Sequence, residues 1–173
     1  MNYAVIKKFD IANGPGVRVS LFVSGCRHCC KNCFNRETWE FGFGKPFTKS
    51  TADEILTALK PDYISGFSLL GGEPFEPENQ PELLGLLQKI KHLYPDKNIW
   101  CYTGFLLDSE ILGSSRAKTD VSDELLKYID VLVDGRFAEE LKDITLKFRG
   151  SSNQRIIDVP ATLERGEIVL YNV

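Results

Sequence analysis

Four of the five cysteines in this sequence lie within eight residues, in the run Cys26-Arg27-His28-Cys29-Cys30-Lys31-Asn32-Cys33. The run follows an apolar segment, Val17–Val23, and the small pair Ser24-Gly25. Thiolates this close together repel one another unless a metal neutralises their charge. The pattern therefore predicts a metal site on a loop at the end of a strand.

The spacing of the cysteines leaves three kinds of site open. A zinc site that uses all four would fuse two Cys-x-x-Cys pairs, but Cys29 and Cys30 are adjacent, so their side chains tend to diverge. Cys26, Cys30 and Cys33 alone give Cys-x3-Cys-x2-Cys, and three thiolates on a four-iron cluster leave one iron open. A disulfide framework needs an oxidising compartment, and the first ten residues lack the apolar segment of a signal peptide. We favour the iron–sulfur cluster over zinc and disulfides.

Length and composition narrow the class of protein. The 173 residues predict one domain, 1–173, that is long enough to bury a core. A net charge of −3 without a block of Lys and Arg argues against a nucleic-acid partner. No apolar run approaches the length of a membrane span, so we expect no membrane partner and a soluble, cytoplasmic protein.

Strand and helix patterns alternate along the chain. Apolar runs predict strands over residues 17–23, 63–70, 98–104 and 129–134, a weak edge strand over 3–9, and short final strands over 155–159 and 168–171. Apolar spacing and caps predict helices that begin at 50, 81 and 120. This alternation indicates an α/β fold with a mostly parallel sheet. A closed barrel of eight strand–helix units needs about 250 residues, more than the 173 of this chain. We therefore expect an incomplete, open (β/α) barrel.

The second predicted strand ends in Gly71-Gly72-Glu73-Pro74. A phosphate cradle does not carry an acidic side chain in its turn, whereas a site for an ammonium group does. Glycine lets the backbone approach a ligand closely, and Glu73 either places negative charge near an amine or holds the loop.

Several motifs together carry a family resemblance. Cys26-x3-Cys30-x2-Cys33 followed by Phe34 resembles the signature of radical S-adenosylmethionine enzymes. The flanking segments 13–18 and 35–39 and the Gly-Gly-Glu-Pro turn resemble the glycyl-radical-enzyme activating enzymes of that superfamily. Residues 131–137 and 148–155 are similar to the branch that acts on anaerobic ribonucleoside-triphosphate reductase.

The resemblance implies a fold, a chemistry and a set of residues. It implies a barrel of the radical S-adenosylmethionine type and a catalytic [4Fe-4S] cluster held by Cys26, Cys30 and Cys33. S-adenosylmethionine would bind the open iron and be cleaved reductively, leaving a glycyl radical on the reductase. A low-potential donor such as flavodoxin or ferredoxin would supply the electron. The residues expected to bind the cofactor are Asn32, Cys33, Phe34, Gly71, Gly72, Glu73, Thr103 and Asp134.

Other functions remain as alternatives. A small-molecule radical enzyme such as a 7-carboxy-7-deazaguanine synthase would share the cysteines and the Gly-Gly-Glu-Pro turn but lack the 148–155 segment. A zinc-binding interaction module would use the same cysteines without catalysis.

Individual residues add narrower expectations. Cys29 occupies a position that the family pattern leaves open, and we expect its side chain to point away from the cluster. Cys101, alone within a predicted strand, is expected to fill the core. His28 is expected either to bond a cluster sulfur or to face solvent. The three cations of segment 147–155 suit a carboxylate or a partner loop.

Overall fold

The computed structural model describes residues 1–172, which form one seven-stranded sheet with helices. The strands are β1 (Asn2–Asp10), β2 (Val17–Val23), β3 (Lys45–Pro46), β4 (Ile64–Gly71), β5 (Asn98–Tyr102), β6 (Val131–Asp134) and β7 (Arg155–Asp158). The helices are α1 (Lys49–Leu59), α2 (Gln80–Leu93), α3 (Ser122–Leu126) and α4 (Val159–Arg165). Short 3-10 turns at Arg36–Trp39 and Glu139–Leu141 and one π turn at Leu107–Ile111 complete the assigned helical structure.

The strand order is β3-β1-β2-β4-β5-β6-β7, and the sheet is not closed. The four central strands, β2, β4, β5 and β6, run parallel, while β1, β3 and β7 pair antiparallel at the two sides. The α/β class and the mostly parallel centre predicted from the sequence are therefore confirmed. Because Val23 pairs with Gly71, the cysteine loop after β2 and the glycine turn after β4 emerge side by side.

One face of the sheet is covered by helices. Val19, Leu21 and Val23 alternate along β2 and point into a core that α1, α2 and α3 close. Strand side chains alternate between faces, so this pattern fixes the register of β2. Cys101 lies fully buried in the same core, as predicted.

The opposite face carries a buried arginine instead of a layer of helices. The Arg18 guanidinium donates to Ser68 Oγ at 2.7 Å and to the Phe67 carbonyl at 2.8 Å, and it lies 5.8 Å from the Trp100 ring. Burial lowers the pKa of Arg18 to about 10, although the carbonyl and hydroxyl acceptors hold its hydrogens. The neighbouring turn needs Gly14, since a Cβ there would lie 2.9 Å from Arg18 Nε.

Three sequence-based assignments differ from the structure. The edge strand is β3 rather than β1, and the helix predicted to begin at 120 is confined to α3. The strand predicted over 168–171 is wrong, because only Leu170 forms an isolated bridge, to Ile157. The sequence analysis also missed α4, which begins at the Asp158 cap and ends at left-handed Gly166.

None of the helices within residues 1–172 has the length and apolar character to cross a membrane.

Candidate metal and cofactor site

A cavity of about 610 Å³ lies where the parallel strands end and continues over the sheet face opposite the helices. Its walls include Cys26, Cys30 and Cys33 from the loop after β2, Gly71 at the end of β4 with Gly72 next to it, and Thr103 after β5. Phe34 and Glu73 also line the cavity, so the structure brings eight of the predicted site residues around one space. Active sites at the carboxyl ends of parallel strands are common in α/β folds.

The cysteine loop turns tightly, so that three of its four thiols face this cavity. The Cys33 N–H donates to the Cys30 carbonyl at 3.1 Å, and Asn32 within this turn has a left-handed φ of 55°. Asparagine tolerates that conformation better than most residues. The Asn32 side chain is exposed and does not line the cavity, so its predicted contact with the cofactor stays a prediction.

Cys29 differs from its three neighbours. Its φ of 49° is also left-handed, its side chain is exposed, and it does not form part of the cavity wall. The Cys29 Sγ approaches the carbonyl of Cys26 at 4.0 Å. The side chain therefore points away from the other thiols, in the direction that the sequence analysis expected.

Burial favours the protonated form of two thiols that face the cavity, those of Cys26 and Cys30. It raises the pKa of Cys26 to about 12, and the nearby Glu73 carboxylate raises it further. Burial also raises the pKa of Cys30, with Cys33 as a second cause. Thiolates at these positions therefore require a bound cation to balance their charge.

The two glycines of the turn are needed because the turn packs closely against β2 and the cysteine loop. A Cβ at Gly71, whose φ is 107°, would lie 2.7 Å from the Phe22 Cα, and one at Gly72 would lie 2.6 Å from the Gly25 carbonyl oxygen. The Gly72 and Glu73 N–H groups donate to the Val23 and Gly25 carbonyls, both at 2.8 Å. The turn is thus bound to the start of the cysteine loop.

Glu73 is buried, and protein donors occupy both of its oxygens. Oε1 accepts from the Phe75 N–H and the Thr103 hydroxyl, both at 2.8 Å. Oε2 accepts from the Gly104 N–H at 2.8 Å and lies 3.0 Å from His28 Nε2. Of the two roles that the sequence allowed, this geometry favours holding the loops together over free negative charge near an amine.

His28 lies inside the site rather than at the solvent, with its side chain only 3% exposed. Its ring packs edge-on against Phe105, with 4.4 Å between centroids, and Arg136 Nε donates to its Nδ1 at 3.0 Å. His28 thus bridges Glu73 and Arg136. This contact differs from both roles expected from the sequence, a bond to a cluster sulfur and exposure to solvent.

A second buried carboxylate, Glu76, lies behind the cysteine loop. It accepts from the Arg27 backbone N–H at 2.8 Å and the Arg27 side chain at 2.6 Å, and Arg116 reaches it from another loop at 3.2 Å. Burial alone would raise the pKa of Glu76, but the hydrogen bonds from Arg116 and Arg27 outweigh burial and lower it. The sequence analysis did not identify this cluster, because the three residues are far apart in sequence.

Aromatic and basic residues form the rim of the cavity. Phe34, which is 64% exposed, packs against Phe137 at 5.1 Å between ring centroids, and Lys142 Nζ lies 5.2 Å from the Phe34 ring. Gly150 fits beside both rings, where a Cβ would lie 3.1 Å from Phe137. An exposed π-face beside the third cysteine is compatible with the predicted stacking of adenine, which stays a prediction.

Asp134 is fully buried and lies outside the cavity wall. Its carboxylate accepts from the Leu107 N–H at 2.8 Å and from Arg155 Nε at 2.9 Å. Its predicted contact with the cofactor stays a prediction, while these bonds link β6, β7 and the π turn. Arg155, one of the three cations in segment 147–155, is thus paired with Asp134.

Comparison with known proteins agrees with this geometry. Residues 12–157 match the family model described as a 4Fe-4S single cluster domain. The anaerobic ribonucleoside-triphosphate reductase-activating protein of Escherichia coli K12 is 46% identical over 156 residues, 89% of this chain and 96% of that protein. The activating protein of Vibrio cholerae is 46% identical over 158 residues, covering 90% and 97% of the two chains. That of phage T4 is 41% identical over 157 residues, covering 90% and 93%.

The chain belongs to the family of anaerobic ribonucleoside-triphosphate reductase-activating proteins.

The thiols of this family member fit an iron–sulfur cluster better than a single zinc ion. Within residues 1–172, no three His, Cys, Asp or Glu side chains are placed to hold one metal ion. Cys26, Cys30 and Cys33 instead lie along the wall of one cavity. Three thiolates that surround a cavity of this kind are suited to bind a cluster of several iron atoms. Cys29, the fourth ligand that a zinc site would need, points elsewhere.

Proposed function

We propose that this protein is the activating enzyme that cleaves S-adenosylmethionine reductively and generates a glycyl radical on anaerobic ribonucleoside-triphosphate reductase. The observation that carries the proposal is the shared cavity, which three thiols and the glycine turn line while the fourth thiol of the loop faces solvent. The relatives support the choice of target, since three proteins named for activating this reductase are 41–46% identical over about 90% of the chain.

In this proposal Cys26, Cys30 and Cys33 hold a [4Fe-4S] cluster. When bound, such a cluster would supply the one-electron reduction that S-adenosylmethionine cleavage requires. The protein itself would position the cofactor and exclude water from the cavity. Gly71 and Gly72 leave room at the wall, Thr103 and Glu73 fix the adjoining strand ends, and Phe34 offers a ring for stacking.

The open sheet supports a macromolecular substrate. We propose that residues 1–173 form one domain, an incomplete, open barrel of the radical S-adenosylmethionine type. Tyr102 lines the cavity on the side away from the helices, and its buried hydroxyl lacks a partner among the described residues. A backbone loop of the reductase that enters from this side would reach the cavity without crossing the helices. A cytoplasmic location and a flavodoxin or ferredoxin donor stay predictions.

Anaerobic reconstitution tests the proposal. The chain is loaded with iron and sulfide, reduced with dithionite and mixed with S-adenosylmethionine, and 5′-deoxyadenosine and methionine are measured. The cognate reductase is then added, and the glycyl radical is recorded by electron paramagnetic resonance.

We expect both cleavage products and a radical on the reductase. The matched control is Cys26→Ala, which should abolish both signals. Cleavage without a radical would contradict the target and favour a small-molecule substrate. A colourless, zinc-loaded protein that cleaves nothing would contradict the enzyme and leave a binding module.

A further inference from the structure

The ring of His28 extends from the cysteine loop to the ends of two other strands, β4 and β5. It belongs to the loop itself, between Cys26 and Cys30, yet its ring lies against Gly104 and Phe105 after β5. A Cβ at Gly104 would come within 2.5 Å of His28 Cδ2, so a glycine there leaves the space that the ring fills. A ring so enclosed has one orientation, which fixes where its two nitrogens point.

The two ring nitrogens have opposite roles. An arginine N–H only donates, so Nδ1 accepts from Arg136 and the ring proton lies on Nε2. His28 Nε2 then donates to Glu73 Oε2 at 3.0 Å. The imidazole thus forms a rigid bridge with a donor at one end and an acceptor at the other.

This bridge is the side-chain contact between the cysteine loop and the glycine turn. The main chain joins them at Gly25, whose carbonyl accepts from the Glu73 N–H, and His28 joins them again through the Glu73 carboxylate. One of these contacts uses the Glu73 backbone and the other uses its side chain. Together they set the distance between the wall that carries the thiols and the wall that carries Gly71 and Gly72.

We infer that His28 is a positioning residue: through its hydrogen bond to Glu73 it aligns the cysteine loop with the glycine turn, and this alignment sets the affinity for S-adenosylmethionine. The inference rests on the proposed function, since it concerns the cofactor named there. The affinity depends on the hydrogen bond from Nε2 to Glu73, and not on the contact of Nδ1 with Arg136 or on the volume of the ring.

Two amide variants separate the two sides of the ring. The amide of His28→Gln reaches the position of Nε2 and keeps a donor for Glu73, whereas His28→Asn is shorter and keeps only an acceptor for Arg136. The matched controls are His92→Gln and His92→Asn, at the other histidine of the chain, which is exposed on α2. The dissociation constant of S-adenosylmethionine is measured by equilibrium dialysis on reconstituted protein of matched iron content, without turnover.

We expect His28→Asn to raise the dissociation constant about tenfold and His28→Gln to change it by less than about threefold, with both His92 variants at the wild-type value. Unchanged affinity in His28→Asn, or equal weakening by both amides, would overturn the inference. If the wild type itself does not bind S-adenosylmethionine, the proposed function fails and the inference falls with it.

A further variant covers the case in which His28→Asn does not take up iron. Gly104→Ala keeps every donor and acceptor but places a methyl group 2.5 Å from His28 Cδ2 and 2.7 Å from Nε2, so the ring must shift and its hydrogen bond to Glu73 is disturbed. The same increase of about tenfold in the dissociation constant is expected. Wild-type affinity in Gly104→Ala would overturn the inference.

Discussion

Cys29 and Cys30 are neighbours in the sequence, but their side chains face different surroundings. The left-handed backbone at Cys29 turns its thiol to the surface, while Cys30 follows with its thiol on the cavity wall. A local conformation therefore decides which of four similar side chains are available to one metal group. Asn32, three residues after Cys29, is also left-handed, and Cys33 follows it with its thiol on the cavity wall.

Single cysteine substitutions test this assignment. We expect Cys29→Ala to retain the iron content and the cleavage of S-adenosylmethionine, because its thiol lies outside the cavity. Cys26→Ala removes a thiol from the cavity wall and should lower cleavage by about 100-fold or more. Iron analysis and 5′-deoxyadenosine yield measure the two effects, and the reverse order of the two variants would contradict the three-cysteine assignment.

At the level of elements, buried ion pairs join the segments that surround the site. Arg155 at the start of β7 reaches Asp134 at the end of β6, and it also bonds Asp108 of the π turn. Glu76 joins Arg27 of the cysteine loop to Arg116 of a distant loop. Both carboxylates are fully buried, whereas their arginines are part-exposed. Glu76 has two arginine partners, but Asp134 has only Arg155 as an ion-pair partner among the described residues, so loss of Arg155 leaves a buried charge without an ion pair.

Removal of Arg155 should therefore destabilise the fold. Arg155→Leu leaves the Asp134 carboxylate buried without its ion pair and should lower the free energy of unfolding by about 3 kcal/mol, as measured by urea denaturation. The double variant Asp134→Asn, Arg155→Leu removes the buried charge as well and should recover part of this loss. Equal losses in the single and double variants would show that the charge of Asp134 is not the cause.

The Glu76 cluster should give the stability a pH dependence. Its folded-state pKa is lowered from the ordinary 4.5, so the folded state binds the proton less tightly than the unfolded chain does. The stabilisation is thus fully present above pH 4.5 and is lost as the pH falls through the folded-state pKa.

The comparison with Glu76→Gln isolates this contribution. We expect the wild type to exceed Glu76→Gln by about 1–2 kcal/mol between pH 6 and 8, and the difference to shrink below pH 4.5. Urea denaturation across this range measures it. Glu164→Gln, at an exposed position on α4, serves as the control and should show no such trend; a difference that does not depend on pH would contradict the assignment.

At the scale of the whole molecule, the two faces of the sheet have different surroundings. Helices α1, α2 and α3 close one face, whereas the other face carries the cavity and the segment 138–150 at its rim. Within that segment Ile144 is 91% exposed and lines the cavity mouth, so a large apolar side chain faces outward beside the site. Leu141 in the same segment and Phe34 at the rim are also exposed, and a group of exposed apolar side chains beside a site favours contact with another macromolecule.

Hydrogen exchange in the presence of the cognate reductase tests which face is used. We expect the amides of residues 138–150 to gain protection when the reductase binds, because its loop must pass this rim to reach the cavity. The amides of α1, on the covered face, should exchange at unchanged rates. Protection of α1 without protection of 138–150 would show that the partner docks on the helical side.

Local patterns in the sequence were sufficient to predict a metal site and most of the framework. Cysteine spacing, the apolar runs of the parallel strands and the Gly-Gly-Glu-Pro turn are local patterns, and each is sufficient to predict a loop, a strand or a turn. The signals for α4 were also local, since Asp158, Pro160 and Gly166 mark its two ends. Its absence from the sequence-based assignment reflects a missed pattern and not missing information.

The partners of the buried polar groups, in contrast, depend on contacts between distant parts of the chain. His28 and Arg136 lie 108 positions apart, and Glu76 and Arg116 lie 40 apart, so their contacts depend on which strands are neighbours in the sheet. The same holds for Glu73, whose four partners come from its own turn, the cysteine loop and the end of β5. A buried carboxylate requires such partners, but its sequence position does not say which strand ends will supply them.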